Sequence, residues 1–212
     1  MDKIPIIKVT DFNFLGVMIH ENLKWKSHTD MIADKIGKNV GLLHKLKHYL
    51  PRKIMLMLYS SLIHSYLNGG ILLWGFEPGR LTVLQKKAVR AISFAKYNRH
   101  TTNSFRKLKI LKIVDIFNIR SLKFYHNLIN SKLPTYFLQN FTEENCSQTR
   151  TKGSGKCLKF KIFNELSHFD PLILDKIHTH SLDGFATYAK NFILSKYVYI
   201  CTVENCFSCS VE

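Results

Sequence analysis

Apolar residues return at a helical period through most of the chain between residues 27 and 130. Ser27, the expected N-cap, opens the first helix, in which lysines fill positions between the apolar ones. The apolar stripe of this helix is Ile32, Ile36, Val40, Leu43 and Leu46. Pro51 then starts a second helix, because proline suits a first helical turn. The expected inward residues of the second helix are Met55, Leu58, Tyr59, Leu62 and Tyr66.

The helical pattern continues after a break at glycine. Asn68, Gly69 and Gly70 end the second helix, since glycine can adopt the left-handed conformation of a helix cap. The apolar residues 71–75 fit either a buried helical turn or a strand. The next helix turns inward Leu84, Ala88, Ala91, Ile92 and Ala95. Further helices are predicted over residues 101–110, 114–130 and 182–197.

Two segments show features of strands. Near the start, β-branched and aromatic runs on either side of Thr10 and Asp11, the expected turn, predict a short hairpin. Later, Leu158, Phe160 and Ile162 alternate with lysines and predict another strand. The elements together predict a mainly α fold, a helical bundle with a short N-terminal β hairpin and a small α+β C-terminal appendage. The expected divisions are a hairpin region (1–26), a helical domain (27–141), a linker (142–157), a strand and helix (158–197) and a tail without assigned structure (198–212).

The chain carries a large excess of positive charge. It has 31 Lys and Arg against 15 Asp and Glu, a formal net charge of +16. Phosphates are natural partners for such a surface because binding them releases condensed counterions, and interleaved aromatics such as Tyr59, Tyr97 and Tyr125 fit the same partner. The expected phosphate contacts are Lys35, Lys38, Lys45, Lys86, Lys87 and Arg90. An anionic membrane surface or an acidic protein fits the charge too, and a single lysine on a helix is as often simply solvated.

Cysteine content and hydropathy indicate an intracellular protein, nuclear or cytoplasmic. Five cysteines give an odd number without a paired framework. No signal peptide and no membrane span are expected, because no apolar stretch is long enough. Cys201, Cys206 and Cys209 have a C-x4-C-x2-C spacing, but three thiolates leave a zinc site incomplete, so incidental thiols are the favoured interpretation.

Catalytic signatures are missing from the sequence. Two-metal phosphoryl transfer needs converging carboxylates, and no two of the eight aspartates are adjacent. Phosphate-binding loops, serine elbows and zinc-protease motifs are also lacking. His44 and His48 have the i, i+4 spacing of two ligands without a third. We therefore expect no enzyme activity from this chain alone, no metal, no cofactor and no small-molecule substrate.

Short motifs follow one another between residues 12 and 137. They are Phe14-Leu15-Gly16-Val17, Leu23-Lys24-Trp25-Lys26-Ser27-His28, Lys45-Leu46-Lys47-His48-Tyr49-Leu50-Pro51-Arg52-Lys53, Leu58-Tyr59-Ser60-Ser61-Leu62-Ile63, Gly70-Ile71-Leu72-Leu73-Trp74-Gly75, Leu84-Gln85-Lys86-Lys87-Ala88-Val89-Arg90, Lys107-Leu108-Lys109-Ile110-Leu111-Lys112-Ile113 and Leu122-Lys123-Phe124-Tyr125. In kind and order they resemble the region after the palm in jockey-like non-LTR (LINE-type) retrotransposon reverse transcriptases. The likeness thins after residue 137, and residues 198–212 have no counterpart.

The resemblance implies a position and a partner. Phe14, Leu15, Gly16 and Val17 would belong to the primer grip, and the helices from Ser27 onward would form the thumb that follows an RNA/DNA template-primer through its phosphates. The fingers, the Mg²⁺-binding palm and the endonuclease domain of that family lie upstream of this region. The chain is therefore expected to be a fragment of an RNA-directed DNA polymerase that binds template-primer without extending it.

Two other outcomes compete with this interpretation. One is a basic helical module that docks on an acidic protein or a membrane surface and has no nucleic-acid role. The other is a chain that aggregates, because Ile71, Leu72 and Trp74 would stay uncovered where a thumb normally packs on a palm.

Overall fold

The computed structural model describes residues 8–96, 99–135, 173, 175–177, 179 and 181–197. Helix occupies 67% of these residues, and a two-stranded hairpin lies before the first helix. The predicted mainly α class is therefore confirmed. The predicted linker 142–157, the strand at 158–162, Tyr97 and the tail with Cys201, Cys206 and Cys209 lie outside the described residues.

Two strands and eight α-helices make up most of the described chain. The strands are β1 (Asp11–Phe14) and β2 (Val17–His20). The helices are α1 (Lys26–Leu46), α2 (Arg52–Tyr59), α3 (Ser65–Asn68), α4 (Ile71–Trp74), α5 (Gly79–Ser93), α6 (Thr102–Lys107), α7 (Ile113–Ile129) and α8 (Leu182–Ser195). A π-helical segment (Ser60–His64) joins α2 to α3, and a 3-10 turn (Asp175–Ile177) precedes α8.

The hairpin turns at Leu15 and Gly16, not at Thr10 and Asp11 as expected. Both turn residues have a positive φ, 49° and 84°, as the two-residue hairpin turn with matching twist requires. The Asn13 side-chain oxygen accepts a hydrogen bond from the Gly16 amide at 3.1 Å and stabilises the turn. Asp11 instead begins β1 and pairs with His20. Glycine is therefore what locates the turn, because it adopts a positive φ without steric cost.

Helix α1 starts one residue before the predicted cap. Ser27 lies inside the helix, and the cap position belongs to Trp25, which has no side-chain capping bond. Trp25 is half-buried against the main core, so packing of the indole fixes the start of the helix and a hydroxyl cap does not. The predicted stripe is otherwise confirmed, with Ile32, Ile36, Val40 and Leu43 buried and Leu46 partly buried.

The stripe predicted for the second helix is shifted. Its buried residues are Met55, Tyr59, Ile63 and Leu67. Each of these residues is four positions after the previous one. In an ordinary α-helix the residues of one face are spaced alternately by three and four positions, but the wider π-helical turn keeps residues spaced by four on one face. The predicted inward Tyr66 is instead 38% exposed, and Leu58 and Leu62 are only partly buried. Serine hydroxyls at 60, 61 and 65 bond back to carbonyls in the preceding turn, which competes with the regular ladder.

Residues 71–75, for which the sequence allows a buried helical turn or a strand, contain the one-turn helix α4. Gly70 precedes it with φ 61°, as a left-handed cap requires, and a side chain there would meet Val17 at 3.2 Å. Ile71 and Trp74 are fully buried and Leu72 partly so. The expectation that this stretch stays uncovered is therefore wrong. Exposed apolar surface occurs on the hairpin instead, at Phe12, Phe14 and Leu15.

One main core joins most of the helices. Residues from α1, α2, α4, α5 and α7 meet there, and α1 packs most extensively on α5. Its largest fully buried members are Trp74, Phe105 and Phe117. A second cluster lies where α8 packs on α7, centred on Leu122 and Phe185. Ile193 of α8 is partly buried and packs against both clusters, so α8 contacts both.

Candidate nucleic-acid interface

The middle of the chain is almost free of acidic residues. Between Lys35 and Lys112 the only carboxylate side chain is that of Glu77. The same stretch contains all six cations predicted to contact phosphates. The positive potential of this region is therefore little compensated by its own sequence neighbours.

The three predicted cations of α1 do not share one environment. Lys38 and Lys45 are exposed two helical turns apart, on the side of α1 opposite the buried stripe. Lys35 is also exposed, and its ammonium lies 5.6 Å from the centre of the Tyr66 ring, within the range of a cation–π contact. Tyr66 thus orients Lys35 towards α3 and away from the other two lysines.

Helices α1 and α5 run side by side in the same direction. Arg80, near the start of α5, pairs with Asp34 in the middle of α1 at 3.2 Å, and further along both helices the charge of Lys87 acts on His44. Burial lowers the pKa of His44 below 6.5, and the charges of Lys47 and Lys87 lower it further. Lys87 therefore joins the basic end of α1, where Lys45 is also placed.

Lys86 and Arg90 lie elsewhere, in a cleft of about 420 Å³. The cleft also receives Arg99 and Lys112, and none of the lining residues that the structure describes carries a carboxylate. Arg90 donates from Nε to the backbone oxygen of Arg99 at 3.2 Å, which links the two guanidinium-bearing residues. The remaining polar lining includes His100, Thr101 and Thr102. A cleft with four cations and the hydroxyls of three threonines, Thr82, Thr101 and Thr102, offers the donors that a phosphodiester accepts.

A buried glutamine holds one wall of this cleft. The Gln85 amide nitrogen donates to the Tyr59 hydroxyl at 3.0 Å and to the Leu111 carbonyl at 2.9 Å. Its amide oxygen accepts from the Ile113 amide at 2.9 Å. Burial raises the pKa of Tyr59 to about 12, so its hydroxyl remains protonated. Gln85 thereby fixes the segment that carries Lys112 against α5.

A second network anchors Lys112 from the other side. The Tyr197 hydroxyl donates to the Asp115 carboxylate and accepts from the Lys112 amide at 2.9 Å. The Lys112 ammonium lies 4.5 Å from the centre of the Tyr197 ring. Burial raises the pKa of Asp115 above its usual value, and the Tyr197 hydrogen bond and the charge of Lys112 oppose that shift. The residue that follows α8 by two positions therefore helps to position a cleft cation.

The predicted primer-grip residues form the hairpin tip. Phe14 is 56% exposed, Leu15 is 89% exposed and Gly16 is exposed beside it, whereas Val17 is half-buried beside Gly70. The Met18 amide donates to His28 Nδ1 at 3.1 Å, which ties β2 to α1. Strand β2 is thus fixed on the helical body directly after the turn, and the apolar turn residue Leu15 is presented outward.

His28 supports the hairpin from inside the protein. Its ring is buried and meets the Trp25 and Trp74 rings edge-on at 6.5 and 5.8 Å between centroids. Burial, and then the charge of Lys35, lowers the pKa of His28 below 6.5. A neutral ring is needed for Nδ1 to accept the Met18 hydrogen bond.

Sequence reasoning named some residues wrongly and missed others. Tyr59 is 3% exposed, so it is not available to stack on a base, and Tyr125 is only partly exposed. Arg99 and Lys112 were missed because they lie between helices, where periodicity gives no signal. The segment before α6 brings Arg99 beside Lys86 and Arg90, and the return of the chain after α6 brings Lys112 there.

Comparison with known proteins adds no relative. No family model, no curated protein and no solved structure matches the chain. Among the described residues, no three potential metal-ligating side chains lie close together. In that part of the chain no helix combines the length and the apolar character needed to cross a bilayer.

Proposed function

We propose that this chain binds nucleic acid through the phosphate backbone, without selecting a base sequence. The observation that carries the proposal is the cleft beside α5, where Lys86, Arg90, Arg99 and Lys112 converge and no described lining residue is a carboxylate. Contacts to phosphates fix position and register but distinguish no base. The exposed lysines of α1 and the basic end around Lys87 extend the positive surface beyond this cleft.

The proposal includes the role that the sequence motifs imply. We infer that the chain corresponds to the primer-grip and thumb region of a non-LTR retrotransposon reverse transcriptase. Two features support this inference, the outward hairpin tip at Leu15 and Gly16 and the basic helices that follow it. A thumb of this kind follows a template-primer duplex and does not itself transfer nucleotides. We therefore expect tight binding of an RNA–DNA hybrid and no incorporation of deoxynucleotides by the isolated chain.

The test is a salt titration of binding to a labelled RNA–DNA hybrid of mixed sequence, followed by fluorescence anisotropy. Each released counterion contributes roughly one unit to the slope of log affinity against log salt. The variant Lys86→Gln/Arg90→Gln should flatten that slope by about two units and weaken binding equally for hybrids of different sequence. A matched control is Lys53→Gln/Lys132→Gln, which removes two exposed cations outside the cleft.

Three results would contradict the proposal. The first is an affinity that hardly changes between low and moderate salt. The second is an equal effect of the cleft variant and its control, which would assign binding to net charge alone. The third is displacement of the hybrid by anionic phospholipid vesicles at equal phosphate concentration, which would favour the membrane-surface alternative.

A further inference from the structure

A second cationic site lies apart from the α5 cleft. It is a groove of about 560 Å³ between α8 and the helical run from α2 to α3, and it also receives residues of α7 and of the segment 108–111. This volume falls within the usual range of small-molecule sites. The sequence motifs include two of its charged residues, Lys109 and Lys123, and the predicted phosphate contacts include none of them.

One part of the groove lining is apolar. Leu56, Leu108, Leu111, Ile116 and Ile119 contribute aliphatic side chains to it. Such a lining favours a flat uncharged group, because contact with it removes apolar surface from water. The groove is therefore not a site for a small anion alone.

The other part of the lining is cationic. Lys109, Arg120, Lys123 and Lys190 line the groove, and within the described part of the chain Asp183 is its only carboxylate. Asp183 lies 3.9 Å from the Lys123 ammonium, at the limit of an ion pair, and its side chain is 98% exposed. One distant carboxylate leaves a net positive charge of about three in the groove, because Lys and Arg remain protonated at neutral pH.

His64 marks where the charge concentrates. It lies in the π-helical segment and lines the groove with Arg120 of α7 and Lys190 of α8. Arg120 donates from Nε to the Asn68 side-chain oxygen at 2.8 Å, which holds its guanidinium beside α3. Burial lowers the pKa of His64 below 6.5, and the charges of Lys190 and Arg120 lower it further. His64, Arg120 and Lys190 thus line one groove, and an anionic group bound there would lie among them.

We propose that this groove binds a nucleoside phosphate, with the phosphate among His64, Arg120 and Lys190 and the base against the apolar lining. A base with a phosphate matches both halves of the lining, whereas inorganic phosphate or a nucleoside matches only one. Two sources present this chemistry, a free nucleotide and the phosphorylated end of a nucleic-acid strand. The groove shares no residue with the α5 cleft, so this site does not depend on the proposed phosphate-backbone binding.

The experiment measures binding to the full 212-residue chain by calorimetry. The probes are adenosine 5′-monophosphate, adenosine, inorganic phosphate, and a short oligodeoxythymidylate with or without a 5′-phosphate. Adenosine monophosphate should bind at least about tenfold more tightly than adenosine or phosphate alone. Arg120→Gln/Lys190→Gln should weaken its binding by about tenfold or more. Both residues are exposed, so the variant should keep the far-UV circular dichroism of the parent chain.

The control variant is Lys86→Gln/Arg90→Gln, which removes the same charge from the other cleft. It should leave binding of adenosine monophosphate unchanged within about twofold. For the RNA–DNA hybrid the opposite pattern is expected, because the slope of log affinity against log salt should change in the Lys86→Gln/Arg90→Gln variant. Failure of either site is therefore distinguishable from failure of the other.

A spectroscopic signature separates binding in the groove from binding elsewhere. Bound phosphate should raise the pKa of His64, because an adjacent anion favours the charged imidazole. The charged or titratable groups that face His64 are Tyr59 on its own helical run, Lys109, Arg120 and Lys123 before or on α7, and Asp183 and Lys190 on α8. All are present in both states, so the change in the His64 proton titration reports the ligand.

The outcomes are decisive in both directions. Tighter binding of the 5′-phosphorylated strand than of the nucleotide would identify a strand end as the ligand, and the reverse would identify a free nucleotide. The proposal is overturned if adenosine monophosphate binds no better than inorganic phosphate, or if the two double variants weaken it equally. It is also overturned if saturating nucleotide leaves the pKa of His64 where it was.

Discussion

Leu15 combines two unfavourable features in one exposed residue. Its backbone has φ 49° in the left-handed region, which costs a residue with a Cβ about 1–2 kcal/mol, and its apolar side chain is 89% exposed. Asparagine adopts this conformation more easily and is common at this turn position. An exposed leucine held there is consistent with a contact made by the hairpin tip, as the primer-grip proposal requires.

Gln85 holds three polar groups from other parts of the chain by hydrogen bonds, so its loss should destabilise the protein. Gln85→Leu keeps the volume but leaves the Tyr59 hydroxyl, the Leu111 carbonyl and the Ile113 amide without their partner. We expect the free energy of unfolding to fall by about 3 kcal/mol, measured by urea denaturation. Lys86→Gln, at the next position and exposed, should change it by less than about 0.5 kcal/mol. Equal values for the two variants would show that the network contributes nothing.

Two glycines provide a matched test of backbone conformation. At Gly16 and at Gly41 an added Cβ would meet no atom within 4 Å, but only Gly16 has a positive φ, of 84°. Gly16→Ala should therefore destabilise the protein by about 1 kcal/mol through conformation alone. Gly41→Ala, inside α1, should stabilise it by about 0.5–1 kcal/mol, since alanine is the better helix former.

Thermal or urea denaturation of the two glycine variants measures both changes. Opposite signs are the expected result. A stabilising Gly16→Ala would mean that the hairpin turn differs from the one described.

At the scale of elements, the π-helical segment decides what the second helical run buries. It places Ile63 and Leu67 in the core and turns Tyr66 outward, where Tyr66 contacts Lys35. It also places His64 in the groove with Arg120 and Lys190. An uninterrupted α-helix would rotate these side chains relative to Met55 and Tyr59. The widened turn thus shapes both the core and the proposed nucleotide site.

Helix α8 is attached to the body of the protein by Tyr197. Tyr197→Phe keeps the ring beside the Lys112 ammonium but removes the hydrogen bonds to Asp115 and from the Lys112 amide. We expect a loss of about 2 kcal/mol in the free energy of unfolding, because Asp115 and the amide then lack a partner.

A double-mutant cycle with Asp115→Ala tests the origin of that loss, because alanine cannot accept the Tyr197 hydrogen bond. The two substitutions should be less than additive, since each removes the same contact. Full additivity would show that Tyr197 and Asp115 do not interact in solution.

At the scale of the whole molecule, three histidines make stability depend on pH. The pKa values of His28, His44 and His64 are all lowered, by burial first and by nearby lysines or arginine second. In the unfolded chain these groups bind protons at their ordinary value of 6.5, before they do so in the folded protein. Their contribution is therefore fully present above pH 6.5 and is lost progressively as the pH falls towards their folded values.

Urea midpoints between about pH 8 and about pH 5.5 measure this dependence. Asp115 acts in the opposite direction at the acidic end, because its raised pKa makes the folded state the better proton acceptor there. In the variant His44→Gln/His64→Gln, stability should fall less steeply as the pH decreases. Of the three histidine contributions, only that of His28 should remain. An unchanged slope in this variant would contradict the assignment.

The sequence by itself determined the helical class, the inward face of α1 and the surplus of cations. Periodic apolar residues specify which side of a helix faces the core wherever the helix is regular, as Ile32, Ile36 and Val40 show. The predicted helix start and the predicted buried face were wrong where tertiary contacts or a π-helical turn determine the backbone geometry. Trp25 and not Ser27 sets the start of α1, and the π-helical turn changes the stripe that contains Tyr59.

Only the tertiary structure decided which cations meet. Lys86 and Arg90 are neighbours on one helix, but Arg99 and Lys112 reach them through segments that have no period to interpret. Arg120 and Lys190 are 70 positions apart in sequence and come together beside His64 because α8 packs on α7. Local pattern indicates the outward side of a regular helix, because residues three and four apart lie on one face. Convergence of charge between helices follows from packing, which depends on residues far apart in the chain.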